Sequence, residues 1–344
     1  TGGAESYFYA LENGINRDAI DMLSVAVCTG SSTPLHYPSS FFHGSFSVVS
    51  RIRQIGKLVL NHSVDIVHAN SLSLADAAAL SRKIYGFSYP IIYTKHNITK
   101  LERISKKIFA DFINKEIDCV IAICETDKDK LIAEGVHPNL IQIINNSVDT
   151  DKFKFKPHYS FDNVKHGLIR IGILARLAPE KRHLLFLKIC KMIHESIPSI
   201  SVEIAGEGPQ RPVIEQYIQS NSMGKYVSML GNVDAENYLA NIDYLFLVSE
   251  REVFPMSILE GMASGTLVFS KNVGGVKDVL DKNTGYLIEG NDAEVYYSAF
   301  MRSLEYNQEE KLEQARQRIC ESYSLCKSLR MHEQLYLNFK GMKR

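Results

Sequence analysis

Few backbones can accommodate the stretch from Tyr244 to Phe269. Tyr244-Leu-Phe-Leu-Val248 is an apolar run whose length and aromatic content suit a buried strand, and Thr266-Leu-Val-Phe269 is a second. Between them, Ser249 to Gly265 reads as a loop feeding a short helix. Pro255 suits the first helical turn, where a missing N–H is no loss, and Gly265 suits the position just past the end. Ile258, Leu259, Met262 and Ala263 fall on one face at helical spacing, which leaves Glu260 mid-helix and Glu252 in the loop before it. The amides of Met256, Ser257 and Ile258, at the positive end of the helix dipole, favour a phosphate. A carboxylate beside a phosphate is useful only if it accepts hydroxyls, which sugars and riboses supply in pairs. A solvated helix with two glutamates shows the same isolated Glu-x7-Glu spacing, so spacing alone does not decide.

The wording around the two acids does more. Ser-x-x-Glu-x-Phe-Pro-x-x-x-Leu-Glu-x-Met-Ala-x-Gly, from Ser249 to Gly265, resembles the signature of the retaining glycosyltransferases of family 4. The resemblance implies an α/β chain of two Rossmann-like domains whose parallel sheets face across a cleft, the GT-B fold. It also implies a glycosyl transfer from a nucleoside diphosphate sugar, with UDP the expected nucleotide, to a glycan, lipid-linked or small-molecule acceptor in cell-surface polysaccharide or glycoconjugate synthesis. Glu260 would then accept ribose hydroxyls, Glu252 the hydroxyls of the transferred sugar, and Phe254 would line the same site.

The chain has 344 residues, 45% of them hydrophobic, enough for two domains each with its own core. Its formal charge of zero argues against a nucleic-acid partner. Cys28, Cys119, Cys124, Cys190, Cys320 and Cys326 form no Cys-x2-Cys pair and read as reduced core residues of a cytoplasmic protein. No apolar run is long enough for a transmembrane helix, and no signal peptide is visible. Thr1 in place of Met suggests a longer natural chain.

Taken in order, Gly2-Gly3-Ala4-Glu5 opens an amphipathic pattern of Tyr7, Phe8, Leu11 and Ile15. The resemblance makes Gly2 and Gly3 a turn that approaches the donor diphosphate, although the strand that precedes this turn in the family is missing. Apolar runs at 21–27, 64–69, 90–94, 119–124 and 141–144 alternate with helical patterns, as do runs at 168–174, 201–205, 226–230, 244–248 and 266–269. Such alternation argues for parallel sheets with ligands beyond the strands' carboxyl ends. His68 and His96 each follow such a strand. A lone histidine there is commonly structural, but the resemblance places His96 near the donor sugar as a catalytic candidate. Lys95, Lys100, Arg103, Lys106 and Lys107 read as the basic face of one amphipathic helix over 95–109, with Leu101, Ile104 and Ile108 on another face. It could be a solvated surface or rest on an anionic membrane, making the protein peripheral on the inner face of the plasma membrane.

Asn145 to Phe153 resembles the family's interdomain linker. Asp149-Thr150-Asp151 could suggest a metal site, but its place at a junction favours a turn, and a metal-independent enzyme is expected. In Arg176-Leu-Ala-Pro-Glu-Lys181 the basic pair suits a diphosphate. Gly206-Glu-Gly208 permits close backbone approach to a ligand or a neighbouring helix. The resemblance sets the nucleotide base against the loop holding Val233, and Gly274-Gly275 near the donor. The expected domains are 1–155, 156–310, and helices in 311–344 that return to the first. Other readings are an epimerase or phosphorylase on the same fold, or a non-catalytic nucleotide-sugar-binding partner.

Overall fold

The computed structural model describes residues 3–23, 25–28, 40–43, 47–160 and 167–340. The chain divides into two compact units, one of residues 1–145 with 326–344, the other of residues 146–325. The second unit thus begins before residue 156 and keeps residues up to Leu325 that the sequence assigned to the returning helices.

In the first unit, α1 (Gly3–Gly14) precedes a parallel pair, β1 (Val25–Cys28) and β2 (Ser40–His43). Next come α2 (Val48–Asn61), β3 (Val67–Ala69), α3 (Leu72–Tyr85), β4 (Ile91–Lys95), α4 (Lys100–Ile104), α5 (Lys106–Glu116), β5 (Cys119–Ala122), α6 (Glu125–Ala133) and β6 (Ile141–Ile143). Strands β3 to β6 form one parallel sheet in chain order. Every residue of β4 and β5 is buried, as expected for strands covered on both faces. One face packs on Phe109 and Ile113 of α5, the other on Tyr7 and Leu11 of α1 and Leu335 and Tyr336 of the chain's last helix.

The single basic helix expected over 95–109 does not form. Lys95 ends β4 with no exposed side-chain surface, its Nζ 2.7 Å from Asp127 Oδ1 and 3.8 Å from Glu102 Oε1. Thr99 then starts α4 with a reciprocal cap: its hydroxyl accepts from the Glu102 amide, and Glu102 accepts from the Thr99 amide. Ser105 ends α4 and caps α5, so the pattern breaks into two helices. The basic surface is reduced to Lys100, Arg103, Lys106 and Lys107, all exposed. Ile104 and Ile108 are also exposed, at 80% and 55%.

The second unit contains β7 (Ile169–Leu174), α7 (His183–Ser196), β8 (Ile200–Ala205), α8 (Arg211–Ser220), β9 (Val227–Gly231), α9 (Ala235–Leu239), β10 (Tyr244–Leu247), α10 (Met256–Ser264), β11 (Leu267–Lys271), α11 (Val276–Val279), β12 (Tyr286–Ile288), α12 (Ala293–Ser303) and α13 (Glu309–Ser322). Helix α14 (Leu325–Phe339) carries the chain into the first unit. The sheet is parallel, in the order β12-β11-β10-β7-β8-β9. Tyr244, Phe246, Phe269 and Phe300 cluster on one face at its centre. Cys119, Cys124 and Cys190 are buried as expected; Cys320 and Cys326 are exposed.

Candidate functional site

The strand order of the second unit fixes where a ligand can sit. From β7 the chain proceeds to β8 on one side, while β10 lies on the other, so the loops leaving β7 and β10 diverge to opposite faces and open a crevice at their carboxyl ends. These loops hold Arg176 to Lys181 and Ser249 to Pro255. Glu250 N donates to Glu180 O at 2.8 Å, tying one loop to the other. Lys181 Nζ stands 2.5 Å from Glu252 Oε1, with the lysine 20% and the glutamate 9% exposed. Arg176 does not join this pair; its exposed guanidinium donates to Glu180 Oε1 at 2.6 Å.

Neighbouring loops hold the pair in place. Gly274 has a φ of +55°, and a Cβ there would lie 1.8 Å from Glu252 O, while Gly275 N donates to Val253 O at 2.9 Å. Any side chain at 274 would therefore push the Glu252 backbone away. Gly206, at φ +137°, serves the other loop: a Cβ would lie 2.0 Å from Ala175 O. The structure thus shows Gly206 admitting a neighbouring loop. Val233 is half-buried between β9 and Asp234, whose carboxylate caps α9.

Helix α10 carries the apolar stripe as the sequence indicates, with Ile258, Leu259, Met262 and Ala263 fully buried. Pro255 occupies the cap position rather than the first turn, and no side chain among the described residues caps the helix. Phe254 is buried against the Tyr323 ring, 5.8 Å between centroids, which makes it a packing support for the helix start. Glu260 is half-buried, and desolvation pushes its carboxyl up to about 7 despite the opposing charge of Lys152. Asp149 Oδ1 accepts from the amides of Asp151 and Lys152, forming the turn expected of it. Among the described residues no group of three His, Cys, Asp or Glu is placed to hold a metal ion.

A different cluster lies in the first unit. His96, directly after β4, is 7% exposed, and its Nε2 has no hydrogen-bond partner among the described residues. The Tyr7 ring meets the His96 ring edge-on, with centroids 4.6 Å apart. Tyr7 Oη is 2.5 Å from His332 Nε2 and 3.2 Å from Thr94 Oγ1. Thr94 Oγ1 is 2.7 Å from His68 Nε2, and His68 Nδ1 is 2.6 Å from Tyr336 Oη. Burial pushes His96 and His332 down to about 4 and His68 well below its usual range. All three rings are therefore neutral at physiological pH. The sequence singled out His96 and His68 but not Tyr7, Thr94, His332 or Tyr336; the regular spacing of α14 carries no mark of what it meets. Gly3 begins α1, and Gly2 lies outside the described residues.

Two units with parallel sheets and a crevice at a strand-order switch define a class of nucleotide-handling α/β proteins, and comparison narrows it. The model of the glycosyl transferases group 1 matches residues 156–319, and that of glycosyltransferase family 4 matches residues 1–152. The chain belongs to this family of glycosyltransferases. It is 23% identical over 310 residues to a human component of phosphatidylinositol N-acetylglucosaminyltransferase, covering 84% of this chain and 63% of the relative. It is 25% identical over 329 residues to the Bacillus anthracis N-acetyl-α-D-glucosaminyl L-malate synthase, covering 87% of this chain and 84% of that protein. The chain spans 54% to 65% of the lengths of the phosphatidylinositol N-acetylglucosaminyltransferase components it matches in human, yeasts and Arabidopsis. The fold is GT-B: the Anabaena protein HepE, solved with UDP and glucose, superposes with a TM-score of 0.80 at 18% identity, over 99% of this chain and 96% of the other.

Proposed function

We propose that this glycosyltransferase moves a sugar from a UDP-sugar to an acceptor hydroxyl with retention of anomeric configuration. The observation that carries this reading is the Lys181–Glu252 pair. The group suited to a phosphate and the group suited to sugar hydroxyls lie 2.5 Å apart at the sheet's switch point, so one molecule can engage both only if its phosphate and sugar are adjacent. A nucleoside diphosphate sugar is such a molecule. The sugar C1–O bond to the diphosphate breaks while the acceptor oxygen forms its bond to C1 from the same face, and the acceptor's proton passes to the departing phosphate oxygen. Lys181, Arg176 and the amides of Met256, Ser257 and Ile258 stabilise the charge that grows on the diphosphate, without requiring a metal. Glu260 accepts the ribose hydroxyls, Val233 borders the base, and His96 faces a substrate hydroxyl.

Support for UDP comes from HepE, whose structure contains it, and support for a lipid-linked acceptor from the phosphatidylinositol-directed relatives. Exposed Ile104 and Ile108 among Lys100, Arg103, Lys106 and Lys107 fit a protein resting on an anionic membrane on its cytoplasmic side. Glycan assembly at a cell surface is the setting that would use these features together. The first test is UDP release from a panel of UDP-sugars, with and without excess chelator, with stereochemistry read by NMR of the product. Turnover abolished by chelator and restored by magnesium would overturn the metal-free assignment; an inverted product would overturn retention. Flotation with vesicles containing phosphatidylserine tests the membrane face. Binding should fall with salt and when Lys106 and Lys107 are both changed to Glu.

A further inference from the structure

The hydrogen-bond directions in the first unit can be deduced from one fixed end. His332 Nδ1 lies 2.8 Å from Ser328 O, and a carbonyl oxygen only accepts, so Nδ1 carries the proton. In a neutral ring Nε2 is then bare, and the Tyr7 hydroxyl must donate to it. With its one proton used, the Tyr7 oxygen accepts from Thr94. The Thr94 oxygen in turn accepts from His68 Nε2–H, which leaves His68 Nδ1 bare to accept from the Tyr336 hydroxyl. Five side chains from α1, β3, β4 and α14 thus form a chain with one donor direction. It runs from Tyr336 through His68, Thr94 and Tyr7 to His332. The Tyr7 phenol within it packs edge-on against His96, whose Nε2 is buried and has no hydrogen-bond partner among the described residues.

We propose that Tyr7 and His332 are positioning residues for the glycosyl transfer: the directed chain fixes the Tyr7 ring, which holds the His96 imidazole so that its unpartnered Nε2 meets a substrate hydroxyl. The inference rests on the reading of His96 as substrate-facing. Its physical basis is the burial of Tyr7, Thr94, His332 and Tyr336, with His68 half-buried in β3. A phenol held at its hydroxyl by His332 and Thr94 cannot turn, so it holds the His96 ring in one orientation, with Nε2 left without a hydrogen-bond partner among the described residues. Helix α14, remote in sequence from His96, thereby becomes part of the reaction's framework.

Two measurements test this. Nitrogen NMR of the imidazole rings in the intact protein reads the tautomers without any substrate: His332 is expected protonated at Nδ1 and His68 at Nε2. The opposite tautomer at His332, or a charged ring at neutral pH, overturns the proposal. The second is UDP release from UDP-glucose and UDP-N-acetylglucosamine by His96→Ala, Tyr7→Phe, His332→Leu and His332→Gln. Tyr7→Phe and His332→Leu are expected to lower kcat about tenfold with the donor KM little changed, because a misplaced group costs turnover rather than donor binding. In His332→Gln the amide oxygen can still accept from Tyr7, so the rate should largely return. If His96→Ala is slow while Tyr7→Phe and His332→Leu keep normal rates, the positioning role is wrong and the reading of His96 stands. If His96→Ala itself keeps a normal rate, that reading fails and the inference with it. If the single effect of Tyr7→Phe and His332→Leu is a lower melting temperature that His332→Gln also shows, the chain is structural alone.

Discussion

Lys181 and Glu252 are 71 residues apart, and Tyr7 and His332 are 325 apart, but sequence separation is the lesser difference between the two clusters. The first pair sits in two loops that leave neighbouring strands of one sheet, with ionic side chains partly exposed to solvent. The second is a string of neutral groups inside a core, gathered from four elements. Loops at strand ends are free to carry polar residues because the scaffold beneath them is complete without them. A buried network has no such freedom, since every missing partner leaves a desolvated donor or acceptor. Damage to the second unit's loops should therefore appear in turnover with the fold intact, whereas damage around β4 should appear in stability as well.

The largest expected effect tests the stability side. Lys95→Met removes the partner of Asp127 and weakens the setting of Glu102, which keeps Lys130 at 3.0 Å. Stripping one member from a buried ionic cluster typically costs ~3–5 kcal/mol, so urea unfolding should shift by that order. The corresponding change in the other unit, Lys181→Met, should cost less than about 1 kcal/mol of stability because the pair is partly exposed. It should nevertheless lower turnover on the order of 100-fold, through lost stabilisation of the leaving diphosphate. Equal stability losses in the two variants would erase the distinction between the units.

Within the second unit the two glutamates sharpen the comparison further. Glu260→Ala should weaken UDP binding by ~1.5–3 kcal/mol, the usual worth of hydrogen bonds to a charged group. Glu252→Ala frees the Lys181 ammonium, so UDP affinity should hold or rise while turnover of the intact donor falls. Calorimetry with UDP and rate measurements on both variants check this. A matching loss of UDP affinity in both would reverse the division of roles.

The same contrast explains what the sequence made legible. The strand-loop-helix-strand reading of 244–269, the buried stripe of α10 and the turn at Asp149 are local: each is set by residues within a few positions, and each stands as read. The helix over 95–109 was misread because its periodicity was real but its ends were not. Lys95 is drawn into the core by Asp127, a partner remote in sequence, and the Ser105 cap splits what remains. Phe254 and Gly206 stood in a binding motif, and the structure adds contacts the motif does not name: Phe254 packs on Tyr323, and Gly206 leaves room for the Ala175 backbone. Tyr7, Thr94, His332 and Tyr336 carried no signal because a hydrogen bond between distant elements leaves no spacing to read.

The smallest effect is a pH dependence that separates Glu260 from the neutral cluster. Its carboxyl is raised by burial from 4.5 to about 7 in the folded chain. A group whose folded pKa exceeds its unfolded value holds its proton in the native state alone between the two values. Glu260 therefore contributes stability that is lost as pH rises from about 4.5 through about 7, against the opposite slope of the three lowered histidines, so the test is the difference between wild type and Glu260→Gln across that window. Ligand binding runs the other way, because ribose hydroxyls donate to the ionised carboxylate. UDP affinity of the wild type, divided by that of Glu260→Gln to cancel the nucleotide's own titration, should rise about tenfold from roughly pH 6 to 8 and then level off. His96, His332 and His68, all lowered by burial and so neutral in the folded chain from about pH 6 upward, should add nothing to this affinity ratio. A ratio that stays flat would mean that Glu260 does not bear charge when the nucleotide binds, and the ribose would need another acceptor.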